Sequence, residues 1–591
     1  MTIPAFLQRA RPLADHSADT RMLLLAAAAL IIGTGGALGA WVLLKSIAVA
    51  TNLFWFGRLS ASPAAITDNA LGLWLVAVPI VGSLIVGLMA RFGSDKIRGH
   101  GIPEAIEAIL YGESRLSFKV ALLKPLSSAI SIGSGGPFGA EGPIIMTGGA
   151  IGSLFAQAFH LSAAERKSLL VAGAAAGMTA IFGTPIAAIL LAIEVLLFEW
   201  KPRSFVPVVV GVVTAWLWRP LLIDTGPLFP AHHALALDPR VLGIALIVGI
   251  LTGTQAALLS SVLYKVEDQF ARLPLHWMWW PAVGGLAVGL GGLIDAHVLG
   301  AGYDSIQGLL SGSLALRAAI ALLAVKAAVW LIALGSGTSG GVLAPLLLLG
   351  GALGYLLGEV LPGGSALWAL AGMAGILSGA MRAPLMAALF AVELTGDFVM
   401  LPLTLAASVG AYAVSVLVMP RSILTEKIAR RGRHILQEYT VDPFEFLQAS
   451  QVMSAEPETL PETMTIAEAI AFFGSEARHR SYPVVDGNGL LQGLVSRSDV
   501  LGWRLGAFED NISLAEVLGD VSQPHANPRD PVARVADLMV ETGVGRIPVV
   551  EPASGKVVGI LTRHDLLKIR HVHRGSEVTR SRGTPTHQQD R

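Results

Sequence analysis

The sequence predicts a mainly α-helical polytopic membrane protein with broken helices in its core, followed by a small α/β module. Three observations carry that prediction. The chain is 53% hydrophobic and only 14% charged, with a mean hydropathy of +0.63, too apolar for a soluble protein of this length. The hydrophobic part repeats itself, and each copy contains an apolar segment interrupted by Gly and Pro. Beyond Pro420 the composition turns charged and mixed, and a second, shorter repeat begins.

Long apolar stretches cover Met22–Ala50, Ala70–Met89, Ser168–Leu197, Val206–Leu222, Val241–Leu263, Trp279–Ile294, Leu316–Leu334 and Pro402–Met419. Several exceed the roughly 20 residues needed to cross a bilayer. Gly142–Ala156 and Gly341–Leu357 open on Gly and Pro and read as partial spans. The 66 glycines suit close helix packing, where small residues let backbones approach. Formal net charge is zero, so bulk charge points to no partner, and nucleic acid is not expected. Cysteine is absent, which removes thiol chemistry and any reading of redox compartment. Arg9, Arg11 and Arg21 precede a long apolar run without a small-residue cleavage site. That pattern predicts an uncleaved first helix and a cytoplasmic N-terminus.

At a shift of 202 residues, Ser134–Pro143 falls on Ser336–Pro345 without a gap. From Ser134 to Gly152, eight of nineteen positions are identical, including Gly139/Gly341, Pro143/Pro345 and Gly148-Gly149-Ala150/Gly350-Gly351-Ala352. Lys124 and Lys326, isolated cations in apolar surroundings, obey the same offset. A shift of 199 then aligns Pro185–Glu194 with Pro384–Glu393. Homologous halves with broken helices in matching positions point to a transport site near the bilayer midplane.

After Pro420, the charged segment Ser422–Tyr439 reads as a last helix leaving the cytoplasmic face. From about Val441 to Arg570 two copies of an α/β unit follow. Each gives a helix (Ile466–Phe473; Val532–Glu541), a β-branched strand, a turn, a second strand and a helix. The expected domains are a cytoplasmic N-terminal segment 1–20, a transmembrane domain 21–436 and a tandem module 437–570. The module divides into about 447–508 and 513–570, and a polar tail 571–591 is expected to be disordered.

Three separated motifs carry a resemblance: Gly99-His-Gly-Ile-Pro103, Gly139-Ala-Glu-Gly-Pro143 and Gly341-Val-Leu-Ala-Pro345. In that order they resemble the CLC family of chloride channels and proton-coupled chloride antiporters. The C-terminal repeat resembles a pair of CBS domains. The resemblance implies two inverted repeats with re-entrant helices, and a homodimer in the lipid bilayer with an anion pathway in each subunit. It places anion-binding positions at His100, Gly101, Ile102, Gly139, Gly142, Val342, Leu343 and Leu424, and the external gate at Glu141.

The chemistry fits those motifs. An anion entering low dielectric must replace its hydration shell. Helix N-termini supply free N–H groups and the positive dipole end without a full charge that would trap the ion. Each motif is a glycine-rich entry to a helix, with Pro where its missing N–H costs nothing. Glu141 is the only carboxylate among the motifs, and its repeat partner is Leu343. It competes with the anion for the same donors and opens by swinging away or by protonation. Glu194 and Glu393 occupy equivalent repeat positions, which favours a structural role such as capping broken helices. Lys124 and Lys326 either raise the interior potential while pairing with carboxylates or carbonyls, or snorkel to an interface.

Four departures from the family pattern stand out. Where the family often has a chloride-contacting Ser, this chain has His100. The ring either donates to the ion, gaining charge near its usual pKa of about 6.5, or points away and leaves the Gly101 and Ile102 amides to bind. Leu343 replaces a usual Phe, and Leu424 stands where a tyrosine hydroxyl is usual. The inner gate is therefore expected to be apolar on that side, with chloride held more by backbone dipoles. Val195 follows Glu194 where antiporters carry a second carboxylate as internal proton relay, which favours passive, channel-like conduction over antiport.

For the CBS pair, the resemblance places Ser496/Asp499 and Thr562/Asp565 where an adenine nucleotide is held; the alternative is that each Asp caps the helix that follows. No resident metal and no enzymatic constellation such as HExxH is expected. A CBS-regulated cation transporter would need convergent carboxylates within its spans, whereas these broken helices present N–H donors and lysines. The expected function is chloride-selective transport in the cell (inner) membrane with the CBS domains cytoplasmic; the alternative is a proton-coupled chloride antiporter.

Overall fold

The computed structural model describes residues 21–233, 238–433, 435, 444, 447–506, 508–519 and 523–569. The expected N-terminal segment 1–20 and tail 571–591 lie outside the described residues, as does most of the stretch after Arg433 that was expected to continue the last helix. Two compact units divide the chain, Met1–Glu438 and Tyr439–Arg591.

The first unit is helical. Among the described residues, seven helices are long and apolar enough to cross a membrane: Arg21–Phe56, Gly72–Phe92, Pro202–Leu222, Pro239–Ala271, Trp277–Ile294, Leu316–Gly335 and Phe398–Val418. Most lie where sustained apolar sequence predicts a span. Ser168–Leu197 differs, because it is two helices instead of one. Ala163–Phe182 ends on Gly183, left-handed at φ 69°, and Pro185–Leu191 begins at once with Pro at its first position. Gly closes one helix and Pro opens the next, so uninterrupted hydropathy conceals a break. The equivalent helix Ser365–Met381 is also central, although hydropathy alone did not single it out.

The repeat becomes a repeated packing. Glu141–Ala158 lies along Ala163–Phe182, and Leu343–Gly358 lies along Ser365–Met381. Both hairpins close through glycine. A Cβ on Gly148 would sit 2.1 Å from the Gly173 carbonyl oxygen, and one on Gly350 would sit 2.5 Å from that of Gly372. One turn further, Gly152 meets the Leu169 carbonyl as Gly354 meets that of Trp368, each at 2.0 Å from the same imagined atom. Such backbone approach replaces hydrophobic driving force, which lipid does not supply between helices.

The second unit holds two three-stranded sheets. Leu460–Pro461 pairs in parallel with Ser481–Val485, which pairs antiparallel with Leu491–Ser496. In the other sheet Val557–Thr562 is central, flanked antiparallel by Arg546–Val550 and Ser454–Ala455. The helices Ile466–Ser475 and Val532–Glu541 agree closely with the expected positions.

Gly148→Ala is expected to destabilise the membrane unit by ~2 kcal/mol or more through forced separation of the hairpin. Gly226→Ala, where an added Cβ meets nothing within 4 Å, should leave stability unchanged. Thermal unfolding of the detergent-purified variants, followed by size-exclusion chromatography, checks the contrast.

Candidate functional site

The three glycine-rich motifs meet. Gly139 and Gly341 exchange backbone hydrogen bonds, Gly139 N–H to Gly341 O at 3.3 Å and the reverse at 2.8 Å. The first motif joins the third through Gly99 N–H to Thr338 O (3.2 Å) and Gly340 N–H to Gly99 O (3.4 Å). The second packs on the first so tightly that a Cβ on Gly142 would lie 1.8 Å from the His100 carbonyl oxygen. Gly99 and Gly101 have φ of 75° and 89°, left-handed values that favour glycine. Helices then begin at Ile102, Glu141 and Leu343.

Glu141 occupies the space between them. Its side chain is fully buried, and Oε1 accepts the Ala344 N–H at 2.9 Å, at the N-terminus of the Leu343–Gly358 helix. Oε2 has no hydrogen-bond partner. A Cβ on Gly139 or Gly341 would lie 2.0 or 2.3 Å from that oxygen, so the two glycines make room for the carboxylate. Val342 and Leu343 are buried beside it, but the amide that meets the carboxylate belongs to the next residue, Ala344. The side chain therefore places a negative oxygen where free backbone donors favour an anion.

His100 is 3% exposed, and neither ring nitrogen has a hydrogen-bond partner. Its loop is fixed from behind by Lys124, whose Nζ donates to the carbonyls of Ile97 (2.8 Å) and Gly99 (2.7 Å) and to Ser339 Oγ (3.1 Å). Lys326 does the same in the other half, donating to Val298 O (2.8 Å) and Gly300 O (2.7 Å). Both lysines are fully buried, so carbonyl pairing, not snorkelling, describes them. These bonds reveal a fourth loop that sequence reading missed. Gly300-Ala-Gly-Tyr303 matches Gly99-His-Gly-Ile102, with positive φ at Gly300 and Gly302 and a helix starting at Tyr303. The Tyr303 side chain lies beside Ala140 and Glu141. A search for Gly-x-Gly one residue short of the lysine offset finds it.

Glu194 and Glu393 act as reciprocal caps. Glu194 accepts the N–H groups of Met386 (2.9 Å) and Leu385 (3.4 Å), and Glu393 accepts those of Ile186 (2.9 Å) and Ala187 (2.7 Å). Each carboxylate thus closes the open end of the helix that carries the other. Glu194 sits in a π-helical turn, Ala192–Leu197, that extends the first helix.

Comparison with known proteins follows this geometry. The family model for the voltage gated chloride channel matches residues 81–416, more than half of the chain. The chain belongs to the voltage-gated chloride channel (CLC) family. CBS-domain models match residues 449–506 and 518–572. The voltage-gated ClC-type chloride channel ClcB of Shigella flexneri is 32% identical over 348 residues, 57% of this chain and 82% of the relative. A putative ClcB-like chloride channel protein of Ralstonia nicotianae is 30% identical over 393 residues, 64% of this chain and 91% of the relative. Among solved structures, a slow cyanobacterial Cl-/H+ antiporter aligns with a TM-score of 0.61 at 24% identity, over 70% of this chain and 99% of that one. A eukaryotic CLC transporter aligns with a TM-score of 0.57 at 21% identity, over 92% and 99%. These structural likenesses establish the fold.

In this CLC chain, Val195 is 1% exposed and follows the capping Glu194. Leu424 is equally buried, just ahead of the short helix Thr425–Arg430. The segment around Leu424 is less apolar than Leu424 alone suggests. Tyr264 donates its hydroxyl to the Ile423 carbonyl at 2.6 Å, and Lys427 reaches Glu104 Oε1 at 2.9 Å. A residue three positions from Leu424 shares its side of a helix, which is the signal that points to Lys427.

In the CBS unit, each expected pair is together. Asp499 Oδ2 accepts Ser496 N–H (2.8 Å) and its hydroxyl (2.5 Å), and Asp565 Oδ2 does so from Thr562 (2.9 and 2.7 Å). Both are caps of the following helix, the alternative weighed from sequence.

Glu393→Ala is expected to leave the Ile186 and Ala187 amides without their acceptor, costing about 1–3 kcal/mol of stability. Anion selectivity should not change. A lowered thermal midpoint with unaltered chloride-to-nitrate permeability ratio is the expected pair of results.

Proposed function

We propose that this CLC protein moves chloride and similar monovalent anions across a lipid bilayer, through a pathway in each subunit of a homodimer, with Glu141 as the gate. One observation carries the reading: the Glu141 carboxylate rests on the Ala344 N–H at the start of a broken helix, in the place of an anion. A gate of this kind opens when the carboxylate leaves or loses its charge, because anion and carboxylate compete for the same donors. The membrane unit would lie in the cell (inner) membrane, with the N-terminus and CBS pair cytoplasmic, in keeping with Arg9, Arg11 and Arg21 ahead of the first span.

Transport is channel-like in this reading. A proton relay needs a titratable group, and the buried Val195 at the relay position has none. The antiporter reading keeps Glu141 but needs another inner proton acceptor. For the CBS pair we propose regulation by an adenine nucleotide. Each Asp uses Oδ2 in its cap, which leaves the other oxygen of the carboxylate for a ribose hydroxyl.

Glu141→Gln should raise anion flux and flatten its pH dependence, since the amide is a permanently uncharged stand-in for the protonated acid. Light-scattering or chloride-electrode flux from liposomes measures both; unchanged flux and pH response in a folded variant would remove Glu141 as the gate. In wild-type liposomes the reversal potential should follow chloride alone. Uphill proton movement driven by a chloride gradient, and blocked by Glu141→Gln, would establish the antiporter instead.

A further inference from the structure

Beside the first glycine-rich loop, five charged side chains form one ion-pair cluster: Glu104 and Glu107 from the helix Ile102–Tyr111, Lys427 from the short helix after Leu424, and Arg431 and Arg433 just beyond that helix. Glu104 is buried, and its Oε1 is shared by Lys427 Nζ at 2.9 Å and Arg431 at 3.1 Å. Its Oε2 is buried and has no hydrogen-bond partner. Arg431 also pairs with Glu107, as does Arg433 at 2.8 Å. Lys427 is not a surface lysine. Its side chain is 17% exposed, and a Cβ on Gly99 would lie 2.5 Å from Nζ, so the ammonium rests on the loop itself.

His100 belongs to the same cluster. Lys427, Glu104 and Lys124 are the charged groups around it, and both its buried ring nitrogens are unpartnered. A neutral imidazole carries one N–H in either tautomer, so the ring always has a donor to offer. Lys124 is already committed to three oxygen acceptors. Lys427 is held by one carboxylate oxygen, and that carboxylate has a free oxygen. Leu424, which lacks a hydroxyl, lies three residues from this ammonium.

We propose that Lys427 and His100 form an inner anion subsite, and that Glu104 is the tethered carboxylate that occupies it until an anion takes its place. The proposal rests on the anion-pathway reading and extends it to the other end. Glu104 stands to Lys427 as Glu141 stands to the Ala344 amide: a negative oxygen of the chain fills a donor site meant for exchange. The two gates differ in donor. At Glu141 the donor is a backbone amide, which attracts an anion weakly. Here it is an ammonium, which would trap an anion unless a competing carboxylate were built beside it. Arg431, bound to both Glu104 and Glu107, retains Glu104 after Lys427 releases it.

The test uses full-length protein, with chloride affinity from isothermal titration calorimetry and flux from liposomes. Glu104→Gln should tighten chloride binding roughly fivefold or more by freeing Lys427. Lys427→Met should weaken it roughly tenfold, and Lys427→Arg, which keeps charge and pairing, should restore it. In the double variant the gain from Glu104→Gln should vanish. A merely structural ion pair predicts something else: both single variants lower the thermal midpoint, and neither tightens chloride. Glu104→Gln that binds chloride no better than wild type would overturn the proposal. So would a gain that survives in the double variant. Unchanged affinity in Lys427→Met, with flux still controlled by Glu141, would remove the inner subsite and leave the outer gate standing. No chloride binding or flux in the wild type would overturn both.

Discussion

Broken helices inside a membrane leave backbone N–H and C=O groups that no water can meet, and the buried carboxylates and lysines of the transport unit answer that constraint. Three carboxylates close N-termini: Glu141 at Ala344, Glu194 at Leu385 and Met386, Glu393 at Ile186 and Ala187. Two lysines close the opposite polarity, holding carbonyls at Ile97 and Gly99 and at Val298 and Gly300. Each contact joins segments far apart in sequence or fixes a loop that regular hydrogen bonding leaves open. The glycine-closed hairpins hold the helices near enough for these side chains to reach.

Symmetry separates structure from function within that set. Glu194 and Glu393 are exchanged by the repeat and perform the same act on each other. Lys124 and Lys326 bind matching carbonyls. Glu141 has no counterpart, since Leu343 occupies its repeat position. His100 has none either, for the matching loop carries Ala301 there. The repeat does not require residues that break its symmetry, and these two lie in the glycine-rich junction. A carboxylate with one oxygen on a helix N-terminus and the other unpartnered is suited to exchange with an ion. A carboxylate with both oxygens on amides, as in Glu393, is suited to stay.

The inner side is built on different physics. Departures that taken singly look like losses, a missing serine and a missing tyrosine, are accompanied by a buried imidazole donor at His100 and an ammonium at Lys427. A full positive charge attracts an anion more strongly than a helix end does, and holding it in balance needs the buried Glu104. In the CBS unit the acidic residues play a quieter part, each closing the first turn of a helix through the hydroxyl residue three positions before it.

The sequence by itself determined the class of fold, the two repeats and the roles that depend on local pattern. Hydropathy marks spans because burial in lipid needs continuous apolar length. The 202-residue shift identifies the partners of Gly139, Pro143 and Lys124, and equivalence alone makes Glu194 and Glu393 structural. Hydropathy could not see the break at Gly183 and Pro185, since both helices are apolar. Only the tertiary structure decided which amide receives Glu141, what the buried lysines bind and that Lys427 rests against Gly99. Those contacts join segments 25 to 28 residues apart at the lysine–carbonyl pairs and more than two hundred apart at Glu141 and Lys427, whereas sequence pattern reports only the neighbours along a helix or strand.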